Sequence, residues 1–507
     1  DKQSQTIVNS RKKWTKCTGK LNLGPASIDL VRDKLLAFLD KQSALKTAGL
    51  PHKSAIVSMH SKKDADALYK MMTDKYTADD LLLYTAETDE KSKKLDLSNP
   101  DVAWAGKLCV IHTQVISVGT DVTLDQFSNV FAFFGNSTSN VNQSAQSLFR
   151  ARKCKHMEIS YSGNDMNGAQ TKPQLMAECT RAKEHTEILP HLDTRKNGMI
   201  NFNSKSKLDT RNNPDDLDAI CETFIGAMWV ADRIHNNRSH KYFPEMLTRC
   251  IEHAGVQLEV ETITKVKHTP PSANKIAFDA AADLSETERY DMMAENLEQA
   301  IEHDLAQETA TGSKIQDDAT REQKLGWSAL CVAKRANIDV IELNNLPIDE
   351  RADWLHTATL IADSIARSRR HAEKLHRGHS HALYTRSELV SCTMSQCVID
   401  SIGINVTVTD QTISADQINT PEVLATCNSI NEEVSIYGAR KNVRGIGSTK
   451  TRISMLNVAL NHLGINLVGV DAGSKKAPTE YRVEHYYTKL EHPQLTMTNP
   501  HIMVTRA

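Results

Sequence analysis

LCVIHTQVISVGTDVTLDQFSNVFAFFGNSTSNVNQSAQSLFRARKCKHMEI, residues 108–159, is the stretch whose reading decides the fold. Leu108 to Ile111 is a short apolar run of the kind that forms a strand buried on both faces. It leads to Thr113 and then to the turn Gly119-Thr120-Asp121. After a short polar break comes a second apolar run, Val130 to Phe134, and then Gln143, Gln146, Arg150, Arg152 and Lys153 at the close intervals of a helix. Strand, turn, strand, helix predicts an α/β domain built on a parallel sheet. Outward from this stretch, Ser27-Ile28-Asp29-Leu30 begins an amphipathic helix through Leu39, and Ala55–Met59 is the first strand of the unit. Strand–helix alternation then continues to about Tyr161.

The charges in the stretch have a chemical logic. Phosphoryl transfer needs cations aimed at the γ-phosphate, and a rigidly held guanidinium supplies one. On a helix, Gln146 lies one turn before Arg150, on the same side, where it would orient water or sense the γ-phosphate. Asp121 follows a glycine that permits a tight turn and can accept hydrogen bonds from a ribose or an arginine. The layout suits a nucleoside triphosphate bound against another surface. On spacing alone, a basic surface helix beside an ordinary strand turn accounts for the same residues.

GTDV (119–122) and QSLFRARK (146–153) resemble motifs V and VI of superfamily-two helicases, in the herpesvirus origin-binding-protein branch. AIVSMHSKKDADALYKMM (55–72) is similar to motif IV: a strand, a polar turn, a helix. LLLYTAETDEKSKKLDLSNPDVAWAGKLCVIHT (81–113), with Trp104, resembles that branch's approach to the motif V strand. The same architecture occurs in replication proteins of plasmids, phages and large DNA viruses, and the likeness covers roughly residues 50–165. It implies a second RecA-like domain in which Arg150 is the arginine finger, Arg152 or Lys153 a second phosphate contact, and Gln146 the link to the γ-phosphate. Gly119, Thr120 and Asp121 would couple nucleotide state to the nucleic-acid track, with Thr113, His60 and Ser61 on the strand backbone. It also implies ATP and magnesium, single-stranded or forked DNA, and other replication proteins. Phe149 stands where the family motif usually has glycine, which bears on how Arg150 is held.

A helicase motor binds ATP between two such domains, and the first supplies a phosphate loop. No G-x-x-x-x-G-K-[ST] occurs here; Thr311-Gly312-Ser313-Lys314 and Gly445 to Lys450 lack the spacing. The chain therefore reads as the second half, with ATP and magnesium held mainly by a first half, and alone it should not hydrolyse ATP. A non-catalytic module that binds nucleic acid or scaffolds a replication complex fits the same features. The chain opens on Asp1 rather than Met, which reads as a fragment or a processed product.

Composition sets the bounds. A chain of 507 residues with net charge −2 has room for several cores but no global nucleic-acid signature, so any such binding is local. No apolar run approaches a membrane span. Ten scattered cysteines without a Cys-x-x-Cys pair read as reduced thiols of an intracellular protein. Cys392 and Cys397 read as one apolar face, and His371, His376, His379 and His381 as a basic helix end, so no metal site is expected.

The expected organisation is a polar tail and leading helix over 1–50, the RecA-like domain over 51–165, and a connecting extension over 166–214. A helical scaffold over 215–428 and a winged-helix-like α+β module over 429–507 complete it. Within the scaffold, Asn236-Asn237-Arg238-Ser239 reads as a turn between helices, and Ser285 with Glu288 as a capping box opening another. In the last module, Lys450–Leu463 reads as a helix stopped by Gly464, followed by strands 466–470 and 481–483 around the loop DAGSKKAPTE. Between Glu433 and Lys489 nine Lys/Arg face four Asp/Glu, a local basic excess inside a neutral chain. Arg440, Lys441, Arg444, Lys450, Arg452, Lys475 and Lys476 are the candidate phosphate contacts.

Overall fold

A computed structural model describes residues 16–116, 120–135, 139–163, 169–176, 224–264, 270–308, 319–377, 386–408, 411–436, 448–470 and 480–496. The chain divides into two compact units. One comprises Asp1–Asp165, Arg238–Glu288 and Gln316–Arg321, and the other comprises the remainder.

The first unit is an α/β domain. Its sheet has seven strands: β1 (Thr18–Leu23), β2 (Ser54–Met59), β3 (Leu81–Tyr84), β4 (Cys109–His112), β5 (Phe127–Phe134), β6 (His156–Tyr161) and β7 (Gln257–Thr262). They lie in the order β3-β4-β2-β5-β6-β1-β7, and every pairing is parallel. Parallel strands sit between two layers of helices, which is why β2 and β4 are buried along their whole length.

The side chains of β2 alternate between two cores. Ala55, Val57 and Met59 face the helices Ser27–Thr47 and Lys62–Thr73 through Val31, Leu35, Leu39, Leu68 and Met72. Ile56 faces the opposite layer, where Val141, Leu148, Phe243, Leu247 and Ile251 pack with Trp104. The helix Phe243–His253 therefore completes the α/β layer, although it lies far along the chain. Two of the seven strands, β1 and β7, fall outside residues 51–165. The expected polar tail contains an inner strand, and the expected helical scaffold contributes an edge strand.

Two further expectations are corrected. The helix Phe224–Lys241 runs through Asn236–Ser239, so no turn separates helices there. Ser285 to Glu288 lies inside the helix Ala273–Glu295 and opens nothing. In both places local polar signals lose to a helix that propagates once formed.

The second unit is mostly helical. Its larger core joins Leu297, Leu325, Ala329, Leu330, Leu355 and Ile361, from helices over 297–308, 321–336 and 348–377. Gly326 permits close approach there, since a methyl group at that position would run into the carbonyl oxygen of Asn296. A second core collects Val398, Ile413, Ile418, Cys427, Leu456, Leu460, Leu467 and Val483. Around it run the helix Arg386–Ile402, strand β8 (Thr412–Ser414), the helices Pro421–Ile436 and Thr449–Leu460, then β9 (Ile465–Gly469) and β10 (Glu480–His485). The sheet order is β8-β10-β9, antiparallel, with the last strand in the middle. The order is a helix, a strand, the short helix Ala415–Ile418, two longer helices and a hairpin, which is similar in outline to a winged helix and begins well before Ser429. The helix Thr449–Leu460 runs on into a 3-10 turn, Asn461–Leu463, which Gly464 closes in a left-handed conformation, φ 67°, at the position the sequence pattern marks. No helix among the described residues is long and apolar enough to cross a membrane.

Candidate functional site

The segment after β4 and the segment after the helix Val141–Leu148 meet, and the meeting is made by backbone. Val122 N–H donates to Arg150 O at 2.9 Å, and Arg152 N–H donates to Val122 O at 2.9 Å, a one-rung parallel bridge. Side chains follow the same pairing. Arg150 Nη1 donates to the carbonyl oxygen of Thr120 at 3.1 Å, and Arg152 Nη2 pairs with Asp121. Lys153 Nζ lies 3.4 Å from Asp125, both exposed. The two motifs that stand apart in the sequence are thus one structure, although Gly119 lies outside the described residues.

This pairing corrects the expected helix. The helix ends at Leu148, so Arg150, Arg152 and Lys153 do not lie on it, and Gln146 does not share a helical face with Arg150. The cause is competition for the backbone: the groups of Arg150 and Arg152 that would extend the helix are committed to Val122. Gln143 is part of a capping box with Asn140, and Gln146 is exposed. Phe149, at φ −89° and ψ 16°, has a backbone open to any residue, so a glycine is not needed there. Arg150, expected as the finger, is only 7% exposed. Its Nε has no hydrogen-bond partner, and burial lowers its pKa against the support of Asp121. Arg152, with its side chain 30% exposed, is the accessible guanidinium of the pair.

Two histidines stand under the site. His112, at the end of β4, is buried with its Nδ1 2.9 Å from the carbonyl oxygen of Thr113 and its Nε2 unpartnered. Burial pulls its pKa down to about 4, and the charge of Arg150 acts in the same direction. His60, after β2, has Nδ1 2.7 Å from the carbonyl oxygen of Gly135 and Nε2 2.8 Å from Ser144 Oγ, and stacks on Phe134. Burial brings it too to about 4, with His240 adding to the effect. Both of its nitrogens are already used, so His60 ties β2 to β5 and to the next helix instead of meeting a nucleic-acid backbone. Thr113 is likewise buried, its N–H on the carbonyl oxygen of Tyr84 at 3.0 Å. Ser61 caps the helix Lys62–Thr73 by accepting from the Asp64 N–H at 3.1 Å, and remains half-buried at the mouth of a cavity.

These two histidines give the first unit an acid limit. Their folded-state pKa lies below the ordinary 6.5, so between 6.5 and about 4 the unfolded chain binds protons that the folded chain does not. Stability is present above 6.5 and lost as pH falls through that window, by roughly a few kcal/mol for each buried imidazole. Urea unfolding followed across the window should show the loss, and His112→Gln should remove about half of the slope.

The second feature of the carboxyl edge is a cavity of about 460 Å³ beside the ends of β2 and β5, lined among others by Arg32, His60, Ser61, Phe134 and Phe278. Sequence reasoning misses Arg32 and Phe278. The available signal is a charged residue at Arg32 in the apolar stripe Ile28, Val31, Leu35 and Leu39. Of the basic candidates in the last module, Lys450 is exposed at the start of its helix, and Arg452 donates to Asn419 Oδ1 at 3.1 Å. Arg440, Lys441, Arg444, Lys475 and Lys476 lie outside the described residues, as do the side chains of Cys392 and of the four clustered histidines.

The fold defines the class: a doubly wound parallel α/β domain in a chain that also carries a helical region and a small antiparallel-sheet module. No protein-family model and no curated protein matches the chain. Among solved structures, the helicase domain of Hef from Pyrococcus furiosus matches at 11% identity and a TM-score of 0.24, covering 89% of this chain and 77% of that one.

Proposed function

We propose that this chain is the second half of an ATP-driven DNA helicase of the replication type, providing cations to a triphosphate held on a first RecA-like half. The observation that supports this most directly is the backbone bridge joining Thr120–Val122 to Arg150–Arg152, which makes the two helicase-like motifs one unit. Within it the roles divide by exposure. Arg152 is the finger, Lys153 a second phosphate contact, and Arg150 a positioning residue that holds the Thr120 turn. Asp121 keeps the Arg152 guanidinium oriented until a phosphate competes for it. The donor set suits phosphate oxygens, and no group of three or more metal-ligating side chains stands together among the described residues. Magnesium would be held with the triphosphate by the first half, where it would neutralise developing charge. Origin recognition, replication partners and a place at replication sites belong to the same proposal.

The test is complementation. The isolated 507-residue chain should turn over ATP no faster than buffer, and a phosphate-loop half added to it should gain DNA-stimulated ATPase activity. Hydrolysis by the isolated chain, proportional to its concentration, would sink the proposal. The alternative, a non-catalytic nucleic-acid-binding or scaffold subunit, predicts DNA binding with no gain for any added half.

A further inference from the structure

The parallel sheet reverses its winding between two neighbours. From β2 the chain crosses to β3 on one side, and from β5 it crosses to β6 on the other, while β2 and β5 are paired. At such a switch point a crevice opens at the carboxyl ends of the strands. The cavity of about 460 Å³ lies at this place. Met59, Ser61, Phe133 and Gly135 line it from the two strand ends, and Lys275 and Phe278 line it from the helix Ala273–Glu295.

That helix is held differently along its length. Tyr290, Met293 and Ala294, near its carboxyl end, are buried in the larger core of the second unit. Residues 273–288 belong to the first unit, and their contacts with the helices Ser27–Thr47 and Lys62–Thr73 are mostly polar. Asn274 Nδ2 donates to Asp33 Oδ1 at 2.9 Å, Lys63 pairs with Glu286, and Lys70 Nζ lies 2.6 Å from Glu288. The large apolar anchor is Phe278, which packs against the first unit's core with the Arg32 guanidinium 4.5 Å from its ring centre. Ile276 and Leu284 stay 58% and 46% exposed.

Exposed ion pairs contribute little to stability and are screened by salt. A helical segment of this length is marginal in water once its packing is gone. Residues 273–288 are therefore a low-stability element of the first unit, and lifting them withdraws Lys275 and Phe278 from the cavity wall.

We propose that residues 273–288 are a salt-sensitive strap over the switch-point cavity. Latched by Lys63–Glu286 and Lys70–Glu288, the strap restricts access to the carboxyl ends of β2 and β5; released, it opens them to solvent. The device consists of ion pairs and one aromatic anchor and needs no triphosphate, so it stands or falls separately from the helicase proposal.

The test follows the full chain by amide hydrogen exchange and hydroxyl-radical footprinting, both read by mass spectrometry. Raising the salt from about 50 mM to about 500 mM should speed exchange at 273–288 and leave that of Ser27–Thr47 unchanged. Lys63→Glu with Lys70→Glu should speed it at low salt by about two- to thirtyfold, the combined range of two exposed pairs. Adding Glu286→Lys with Glu288→Lys to that protein restores both pairs with their signs exchanged and should return the parent rate. Phe278→Ala should speed exchange by about tenfold or more. In each opened protein oxidation of Met59, 3% exposed when the strap is latched, should rise with exchange. Oxidation of Met72, buried in the same core but outside the cavity lining, should not. Exchange at 273–288 that ignores salt, a reversal that the charge swap fails to rescue, or a Met59 that stays protected while the strap exchanges would each overturn the inference.

Discussion

Arg152→Ala should lower the turnover of the ATP-hydrolysing assembly by about 10³–10⁵ while leaving the apparent ATP affinity nearly unchanged, because a finger acts on charge that develops only in the transition state. Arg152→Lys should not restore it: an ammonium cannot reproduce a planar fork that meets a phosphate and, between turnovers, the Asp121 carboxylate. Arg150→Ala should be distinguishable by a second readout. It removes the donor to the Thr120 carbonyl from a buried site, so its loss of turnover should come with a lower melting temperature, whereas Arg152→Ala should leave melting unchanged. Asp121→Asn should fall between them, since the guanidinium loses orientation but keeps its charge. If Arg150→Ala abolishes turnover with melting intact while Arg152→Ala does little, the assignment of roles by exposure is wrong and the finger is Arg150.

The interior of the α/β domain is legible in the sequence and its margins are not, for a physical reason. Strands buried on both faces are mostly apolar, and β2, β4 and the second half of β5 announce themselves in that way, with their few buried polar residues such as Ser58 and His112 held by hydrogen bonds. β7 reads Gln-Leu-Glu-Val-Glu-Thr and is largely exposed; an edge strand carries alternating charge, and Lys20 of β1 pairs with Glu261 across it. Nothing local in Thr18–Leu23 marks an inner strand, because its partners β6 and β7 lie far along the chain. The cationic cluster is legible as chemistry and misleading as geometry. Arg150 to Lys153 have good helix propensity, and only the long-range bridge to Val122 shows why the helix stops. The cavity is least legible of all, because a switch point is a property of strand order and no segment encodes it alone.

The winged-helix-like module should bind DNA weakly at low salt and release it steeply as salt rises. The slope should be roughly −0.9 per neutralised phosphate on duplex and −0.7 on a single strand. The last helix of the module, Thr449–Leu460, buries Met455, Leu456, Ala459 and Leu460 against the module's own core, so the other side of the helix is the one left to meet a groove. Lys450 stands exposed near the start of that helix, just after the Ser448 cap. Lys475 and Lys476 lie in the sequence DAGSKKAPTE between β9 and β10, outside the described residues. Charge reversal at Lys450 together with Lys475 and Lys476 should therefore flatten the slope by about three counterions and leave folding intact. Arg452 should behave differently. It spends hydrogen bonds on Asn419, so Arg452→Ala should lower the stability of the module as well as its affinity. Anisotropy titrations of the whole chain at two salt concentrations, with parent and variants compared, give both numbers. A slope that the triple reversal leaves unchanged would assign the nucleic-acid contacts to the α/β domain and the module to protein docking.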